Sequence, residues 1–165
     1  MEIWDLYNEE REKTGETLVR GQSIPQGRYH IVIGAWVMNS LGQILLSQRQ
    51  SNIPNPNYWE CTGGSVLAGE SSLEGAVREA REELGIVLNP ENAILFYQRR
   101  RDEAQDFCDA WVFRADATID SLKLQKEEVA AAKWVSKEEL YEAYLKKELN
   151  PGIDYIEEVI GFESK

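Results

Sequence analysis

Residues 64–86 read GSVLAGESSLEGAVREAREELGI, and this stretch predicts more about the fold than any other part of the chain. Its apolar residues recur at three- and four-residue spacing, which is typical of a helix that buries one stripe in a core: Leu73, Ala76, Val77, Ala80 and Leu84. We therefore predict a helix from Ser71 to Leu84 that ends at Gly85, because glycine readily takes the left-handed conformation of a C-terminal cap.

Three glutamates of the same helix are spaced so that they can act together. Glu79, Glu82 and Glu83 lie at positions i, i+3 and i+4, so their carboxylates gather on a second face. Like charges at these spacings cost roughly 0.2–0.5 kcal/mol per pair, and a bound cation would reverse the sign of that interaction. Ligands that are all oxygen favour a hard ion such as Mg²⁺ or Mn²⁺. A solvated acidic surface is the plain alternative for these three residues taken alone.

The full pattern of the stretch resembles the Nudix box. The stretch has the order of that motif: glycine, five residues, Glu, seven residues, Arg-Glu, an aliphatic residue, any residue, Glu-Glu, any residue, Gly and an aliphatic residue. Seven of these positions require a single residue type, so a chance match is on the order of 10⁻⁸ per starting point. Only Ala80 is smaller than the usual aliphatic residue. The hairpin before the box, and residues 127–129 and 133–140 after it, are also similar to the family.

The resemblance implies a fold and a metal site. The fold is α/β: the Nudix α/β/α sandwich, with a mixed β-sheet and a Nudix-box helix. The metal ligands would be Glu79, Glu82 and Glu83, with the carbonyl of Gly63 as a fourth, and Mg²⁺ or Mn²⁺ would be the cofactor. Glu82 and Glu83 would then be catalytic as well. The implied reaction is the hydrolysis of a diphosphate linkage, in which the metal neutralises phosphate charge and lowers the pKa of the attacking water.

Further roles follow from the same resemblance. Glu70 and Arg78 match positions that orient the metal ligands from outside the ligand set. Many members of the family supply another acid from a loop after the box, which binds metal or acts as the base. Glu128 is the candidate for this catalytic acid, and Glu127 is the alternative.

The remaining sequence predicts strands first and helices later, in one domain spanning residues 1–165. Residues 1–28 form a leader hairpin, and residues 29–165 form the core and the C-terminal helices. Turn residues from Asn39 to Gly42 join two strands that are expected to pair as a hairpin. Ser136 is a suitable N-cap for a helix that continues to about Leu149. A final short helix is expected over residues 151–161. The predicted strands are 2–8, 16–20, 29–39, 43–48, 93–101, 107–115 and 131–135.

Composition excludes several classes of function. The formal net charge is −11, from 29 acidic and 18 basic residues, so a nonspecific nucleic-acid or anionic-membrane binder is disfavoured. An anionic small-molecule substrate would then need a cation between it and the protein. Cys61 and Cys108 are the two cysteines, which excludes a disulfide framework, and no signal peptide is recognisable. A cytoplasmic protein is expected.

An isomerase is the first alternative function. The leader from Trp4 to Asn8, and the run from His30 through Trp36 to Trp59, resemble the branch that includes isopentenyl-diphosphate isomerases. Those enzymes need a cysteine just before the box, where this chain has Gly63.

The other isomerase positions match unevenly. Cys61 comes two residues before the required cysteine and is interpreted as a small buried residue. His30 matches one isomerase metal ligand and Asp106 another, but Ser65 and Cys108 replace two more. We interpret His30 as a strand histidine with its hydrogen bonds satisfied. The second alternative, a binding module without catalysis, is disfavoured because all the box glutamates are present.

Substrate contacts outside the box are less defined. Arg49 lies at the end of a strand where many relatives keep a basic residue near the substrate phosphates, and a surface arginine is the alternative. Arg99, Arg100 and Arg101 form the one basic cluster, either at the substrate or at a solvated strand end. The sequence leaves open which diphosphate is cleaved, and whether the chain is a monomer or a homodimer.

Overall fold

The structure, a computed structural model, describes residues 1–163. Within these residues the chain forms β-strands and α-helices in the order β1 (Ile3–Tyr7), β2 (Lys13–Val19), β3 (His30–Met38), β4 (Ile44–Arg49), β5 (Trp59–Glu60), β6 (Thr62–Ser65), α1 (Ser72–Leu84), β7 (Ile94–Arg101), β8 (Asp106–Arg114), β9 (Val129–Val135), α2 (Lys137–Leu145) and α3 (Ile156–Gly161).

The central sheet is mixed, as the sequence predicted. Its strands run in the order β5-β4-β3-β8-β7, with β6 also pairing with β3 and β9 with β4. The β3–β8 pair is parallel, and the other pairs are antiparallel. β3 and β4 form the predicted hairpin, but they pair only at Met38 and Ile44 beside the turn. Beyond that point β6 takes the place of β4 against β3, and the two strands diverge.

Alternation along β3 divides the core into two layers. Ile31, Ile33, Ala35 and Val37 belong to the cluster that contains Ala76, Ala80 and Leu84 of α1. Trp36 and Met38 point the other way, into the cluster that contains Leu140 of α2 and Val159 of α3. Helices therefore cover both faces of the sheet, which confirms the predicted α/β/α sandwich.

The C-terminal helices differ from the sequence prediction. α2 begins after Ser136, whose side chain caps it as predicted, but it ends at Leu145 and not near Leu149. Lys147 has a φ of 57°, and Leu149 forms a parallel bridge with Trp59, so this part of the chain is extended along the sheet. The last helix begins only at Ile156. Four residues of this extended segment line the site described below: Asn150, Gly152, Ile153 and Tyr155.

The N-terminal strands form a separate two-stranded sheet, β1–β2, that contacts the body of the protein. Tyr7 pairs with Tyr29, the ring of Trp4 stacks on His30 at 4.2 Å, and Arg11 forms a 2.5 Å ion pair with Asp109. β2 starts and ends earlier than the predicted 16–20. In the described part of the chain, no α-helix has the length and apolar character needed to cross a membrane.

Candidate active site

Local sequence fixes both ends of α1. Ser71 and Glu74 form a reciprocal capping box, and Gly85 closes the helix in the left-handed conformation with a φ of 66°. Ala76 and Ala80 are fully buried against the sheet, so the small residue at 80 allows close packing. The helix is therefore held at a fixed distance from β6, and its acidic face lies beside that strand.

Arg78 is the centre of the acidic face. Its Nε donates to Glu70 Oε1 at 2.7 Å, and its Nη1 donates to Glu79 Oε1 at 2.8 Å and to Glu82 Oε2 at 3.1 Å. Its Nη2 donates to the carbonyl of Ser65 at 3.0 Å, which ties the helix to β6. Burial acts to lower the pKa of Arg78, but the hydrogen bonds to Glu70 and Glu79 outweigh it and raise that pKa.

Two glutamates of α1 are shielded from solvent: Glu83 is buried, and the side chain of Glu79 is 12% exposed. Burial raises the pKa of Glu83 to about 8, against the hydrogen bond from Thr62 that lowers it. Burial also raises the pKa of Glu79 to about 7, against the hydrogen bond from Arg78. The side chain of Glu82, in contrast, is 55% exposed. Two carboxylates with pKa values displaced into the neutral range, side by side on one helix, are typical of a functional site.

Two glycines of β6 make room for this arrangement. A side chain at Gly64 would collide with the carboxylate of Glu79, and one at Gly63 would collide with the carbonyl of Ile33. The absence of a side chain at Gly64 thus lets β6 approach α1 closely, and its absence at Gly63 lets β6 approach β3 closely. This contact brings Glu79 against the strand that also carries Thr62, the partner of Glu83.

The donor set suits a hard cation, although the carboxylates do not converge on one point. Among residues 1–163, no three His, Cys, Asp or Glu side chains stand in an arrangement that could hold a metal ion. Arg78 binds Glu79 and Glu82, while Thr62 binds Glu83. Every candidate donor is nevertheless an oxygen atom. Glu79 and Glu83, which are four residues apart, project from the same face of α1. Arg78 binds one oxygen of Glu79 and one of Glu82, so the residues fit Mg²⁺ or Mn²⁺ if the other oxygen of each carboxylate turns to the ion.

A cavity of about 240 Å³ opens on the other side of β6. The side chains that line it include the thiols of Cys61 and Cys108 and the hydroxyl-bearing Tyr155, together with charged groups from three strands. The lining residues are Val32, Ile33, Gly34, Arg49, Glu60, Cys61, Gly63, Gly64, Ser65, Arg101, Cys108, Asn150, Gly152, Ile153 and Tyr155. Gly64 contacts Glu79 and also lines the cavity, so the acidic face of α1 and the cavity are separated only by β6.

Arg49 lines this cavity and is not a free surface arginine. Its Nη1 donates to Glu60 Oε1 at 2.9 Å, and its Nε donates to the carbonyl of Pro54 at 2.8 Å. The other carboxylate oxygen of Glu60 accepts from Asn150 Nδ2 at 2.5 Å. Burial raises the pKa of Glu60, whereas Asn150 and Arg49 both lower it. Arg49 was predicted from the sequence as a substrate contact, whereas Glu60 and Asn150 were not predicted.

The basic cluster is divided by the structure. Arg101 lines the cavity and binds both oxygens of Asp106, at 2.7 and 2.8 Å. Arg100 instead pairs with Asp102, and Arg99 lies 3.8 Å from Asp154, both outside the cavity. The expectation of a solvated strand end fits Arg99 and Arg100, while Arg101 belongs to the site.

The acids after the box lie at the start of β9. Glu127 and Glu128 are both exposed, and the carbonyl of Glu128 accepts from the backbone of Gln50 at 2.9 Å. The charge of Glu128 raises the pKa of both Glu60 and Glu83, so this carboxylate lies within electrostatic reach of the site.

The isomerase positions are occupied by groups unsuited to that chemistry. Burial raises the pKa of the Cys61 thiol well above its usual value, and burial raises the pKa of Cys108 to about 11. His30 is buried, and burial lowers its pKa. Its Nδ1 has no hydrogen-bond partner among residues 1–163, so the expectation of a satisfied histidine was wrong. Asp106 is fully engaged by Arg101.

Comparisons with known proteins identify the family and the fold. The family model described as NUDIX domain matches residues 28–157. An uncharacterized Nudix hydrolase of Listeria monocytogenes is 43% identical over 142 residues, which cover 85% of this chain and 83% of that protein. The isopentenyl-diphosphate Delta-isomerase of Escherichia coli K12 is 26% identical over 137 residues, which cover 71% of this chain and 74% of the isomerase. A crystal structure of a Deinococcus radiodurans protein matches with a TM-score of 0.76 at 23% identity, covering 94% of this chain and 98% of the other, which supports the fold.

Proposed function

Because this chain belongs to the Nudix family, we propose that it is a metal-dependent hydrolase of a diphosphate linkage in a nucleoside diphosphate derivative or a related small molecule. One observation carries the proposal: the carboxylates of Glu79 and Glu83 lie against β6, and β6 also lines the cavity that contains the guanidinium groups of Arg49 and Arg101. A protein with a net charge of −11 would need such positive groups to accept an anionic substrate.

Each candidate residue then has a defined task. Glu79, Glu82, Glu83 and the carbonyl of Gly63 would hold Mg²⁺ or Mn²⁺. The bound ion would neutralise phosphate charge and lower the pKa of a water molecule. Glu70 holds Arg78 by two hydrogen bonds, at 2.7 and 3.1 Å, so that Arg78 can orient the carboxylates of the ligand set.

Residues outside α1 would bind the substrate and accept the proton. Arg49 keeps its Nη2 uncommitted in the described contacts and directs it to the substrate phosphates. Glu128 accepts the proton of the attacking water, because it is exposed and still acts electrostatically on Glu83. Glu127 remains the alternative acid. Burial of Glu79 and Glu83 keeps bulk water from screening the developing charge.

An isomerase is the alternative, and the match to the Escherichia coli enzyme is the observation that favours it. Two structural facts weigh against it. The backbone at Gly63 has no room for the Cβ that a cysteine would need, and the high pKa of Cys61 keeps its thiol protonated. A binding module without catalysis is also disfavoured, since it would not need carboxylates with pKa values near neutrality.

The proposed cellular context follows from the same features. The substrate is a small-molecule diphosphate, not a nucleic acid or a membrane surface, in line with the strongly negative net charge. Both cysteines are free thiols, in line with a reducing compartment such as the cytoplasm.

A hydrolysis screen tests the proposal directly. Nucleoside diphosphate derivatives, nucleoside triphosphates and isoprenoid diphosphates would each be incubated with the enzyme and Mg²⁺ or Mn²⁺ in ¹⁸O-labelled water. We expect at least one diphosphate to be cleaved, with the label found in a phosphate product by mass spectrometry. If no diphosphate of any class is cleaved under either metal, the proposed function is wrong.

A further inference from the structure

The segment between α2 and α3 reaches the site through one side chain, Asn150. The backbone N–H of Asn150 donates to the carbonyl of Trp59 at 2.9 Å, and the N–H of Trp59 donates to the carbonyl of Glu148 at 2.9 Å. These two bonds fix the segment against β5 by its main chain. The side chain of Asn150 is fixed as well, because its Oδ1 accepts from the N–H of Gly152 at 3.0 Å.

The contact of Oδ1 with Gly152 fixes the orientation of the Asn150 amide group, and therefore also the direction in which Nδ2 donates. Nδ2 donates to Glu60 Oε2 at 2.5 Å, and Glu60 Oε1 accepts from Arg49 Nη1 at 2.9 Å. All three side chains line the cavity. Glu60 therefore links the fixed turn that carries Asn150 to the side chain of Arg49. A long arginine side chain has many rotamers unless contacts of this kind restrict it.

The charge state of Glu60 determines the strength of its contact with Arg49. The side chain of Glu60 is only 17% exposed, and burial raises its pKa. The hydrogen bonds from Asn150 and Arg49 act against burial and favour the carboxylate form. A neutral Glu60 would hold Arg49 with a weaker hydrogen bond, because charge-assisted bonds are roughly twice as strong as neutral ones.

We propose that Asn150 is a positioning residue for substrate binding, which acts through Glu60 to hold the guanidinium of Arg49 at the cavity. The inference rests on the proposed function only in taking Arg49 as a phosphate contact. Asn150 does not itself touch the substrate in this account. It determines the conformation in which Arg49 meets the substrate, so its loss weakens substrate binding and leaves the bond-breaking step largely intact.

An exchange of donor and acceptor between positions 60 and 150 tests the proposal. Asn150→Asp keeps the oxygen that accepts from Gly152 but places two carboxylates in contact. Glu60→Gln replaces one of the two acceptor oxygens with an NH₂ donor, so position 60 can no longer accept hydrogen bonds from both Asn150 and Arg49. The double variant keeps the net charge of the pair and restores the contacts in reverse, since the new amide at position 60 can donate to the new carboxylate at position 150 and accept from Arg49. Asp154→Asn, on the same segment but outside the cavity, is the matched control.

We expect each single variant to raise KM roughly ten-fold with little change in kcat, which is the effect of losing one hydrogen bond to a charged group. The double variant should recover part of the wild-type KM, because its neutral amide at position 60 again accepts from Arg49 but binds it less strongly than a carboxylate does, and Asp154→Asn should leave KM unchanged. Equal KM values for wild type and Asn150→Asp would overturn the proposal. A double variant no better than the worse single variant would overturn it too.

A second measurement separates this proposal from the proposed function. The side-chain Nε–Hε group of Arg49 can be followed by ¹⁵N NMR in metal-free protein, and Arg49→Lys assigns its signal. We expect one sharp signal in wild type, a signal broadened by solvent exchange in Asn150→Asp, and a sharp signal again in the double variant. An Arg49 signal that is identical in all three proteins excludes the positioning role, even if no substrate is found. A failed hydrolysis screen with the expected signals would instead overturn only the proposed function.

Discussion

The hydroxyl of Thr62 donates a hydrogen bond to Oε2 of Glu83, and it thereby joins β6 to the last turn of α1. Thr62 is 2% exposed and Glu83 is 6% exposed, so the bond lies out of contact with water. It is the contact that most strongly opposes the effect of burial on Glu83, whose pKa is nevertheless raised to about 8. Thr62 thus controls how readily Glu83 becomes the carboxylate that a metal ion requires.

Replacing Thr62 with valine should shift the pH dependence of activity. Thr62→Val removes the hydroxyl at nearly constant volume, so the pKa of Glu83 rises further and more Mg²⁺ is needed for half-maximal activity. The measurement is kcat/KM against pH at several Mg²⁺ concentrations. Thr62→Ser, which keeps the hydroxyl, is the control and should resemble wild type. Profiles for Thr62→Val and wild type that coincide would show that Glu83 is not a metal ligand.

The stability of the metal-free protein should fall as the pH rises through neutrality. The folded pKa values of Glu79 and Glu83, about 7 and about 8, lie above 4.5, the ordinary pKa of a glutamate in an unfolded chain. The folded state therefore binds these protons more tightly, and their stabilising contribution is complete below about pH 4.5 and lost as the pH passes 7 to 8. Thermal unfolding in chelator should show a lower Tm at about pH 8.5 than at about pH 6. Glu83→Gln should reduce this difference, and a Tm that rises over the same range would contradict the assigned burial.

Loss of one charge at Glu82 should abolish most of the activity without harming the fold. Glu82→Gln is expected to lower kcat by several orders of magnitude, because the carboxylate is a proposed metal ligand. Thermal stability in chelator should stay level, since Glu82 is mostly exposed. Glu74→Gln makes the same charge change on the same helix, at the N-terminal capping box, and should leave kcat near wild type. Activity in Glu82→Gln within a few-fold of wild type would mean that the acidic face is only a surface.

Removal of the thiol at Cys61 should distinguish the two enzyme classes. Cys61→Ala should keep its hydrolytic activity, with at most a modest loss from repacking of the buried site that it leaves. We also expect that isopentenyl diphosphate incubated with wild type and metal does not become dimethylallyl diphosphate. Formation of that product by wild type, and its loss in Cys61→Ala, would transfer the assignment to an isomerase.

Patterns of local spacing predicted much of this fold and site. The stripe from Leu73 to Leu84 predicted α1 and its buried face, and the box motif located Glu79, Glu83 and the Arg78 centre on that helix. Such features depend on residues three or four apart, which the sequence displays directly.

Other parts of the site depend on contacts between distant residues. Asn150 lies 90 positions after Glu60. The sequence predicted a helix up to about Leu149 and another from residue 151, so it gave no sign of an extended segment at Asn150. β6 was not predicted because Thr62–Ser65 is short and contains two glycines, which are poor strand formers. The division of Arg99, Arg100 and Arg101 between solvent and cavity follows from the register of β7 against β8, which tertiary packing sets.

Dependence on a divalent metal is the central claim, and one titration tests it most directly. The enzyme would be assayed with its best diphosphate substrate in excess chelator, then with increasing free Mg²⁺ or Mn²⁺, beside Glu83→Gln as the ligand-defective variant. We expect no turnover in chelator, full recovery of wild type by either metal, and little recovery of Glu83→Gln at the same free metal concentration. Undiminished hydrolysis in excess chelator would contradict this claim.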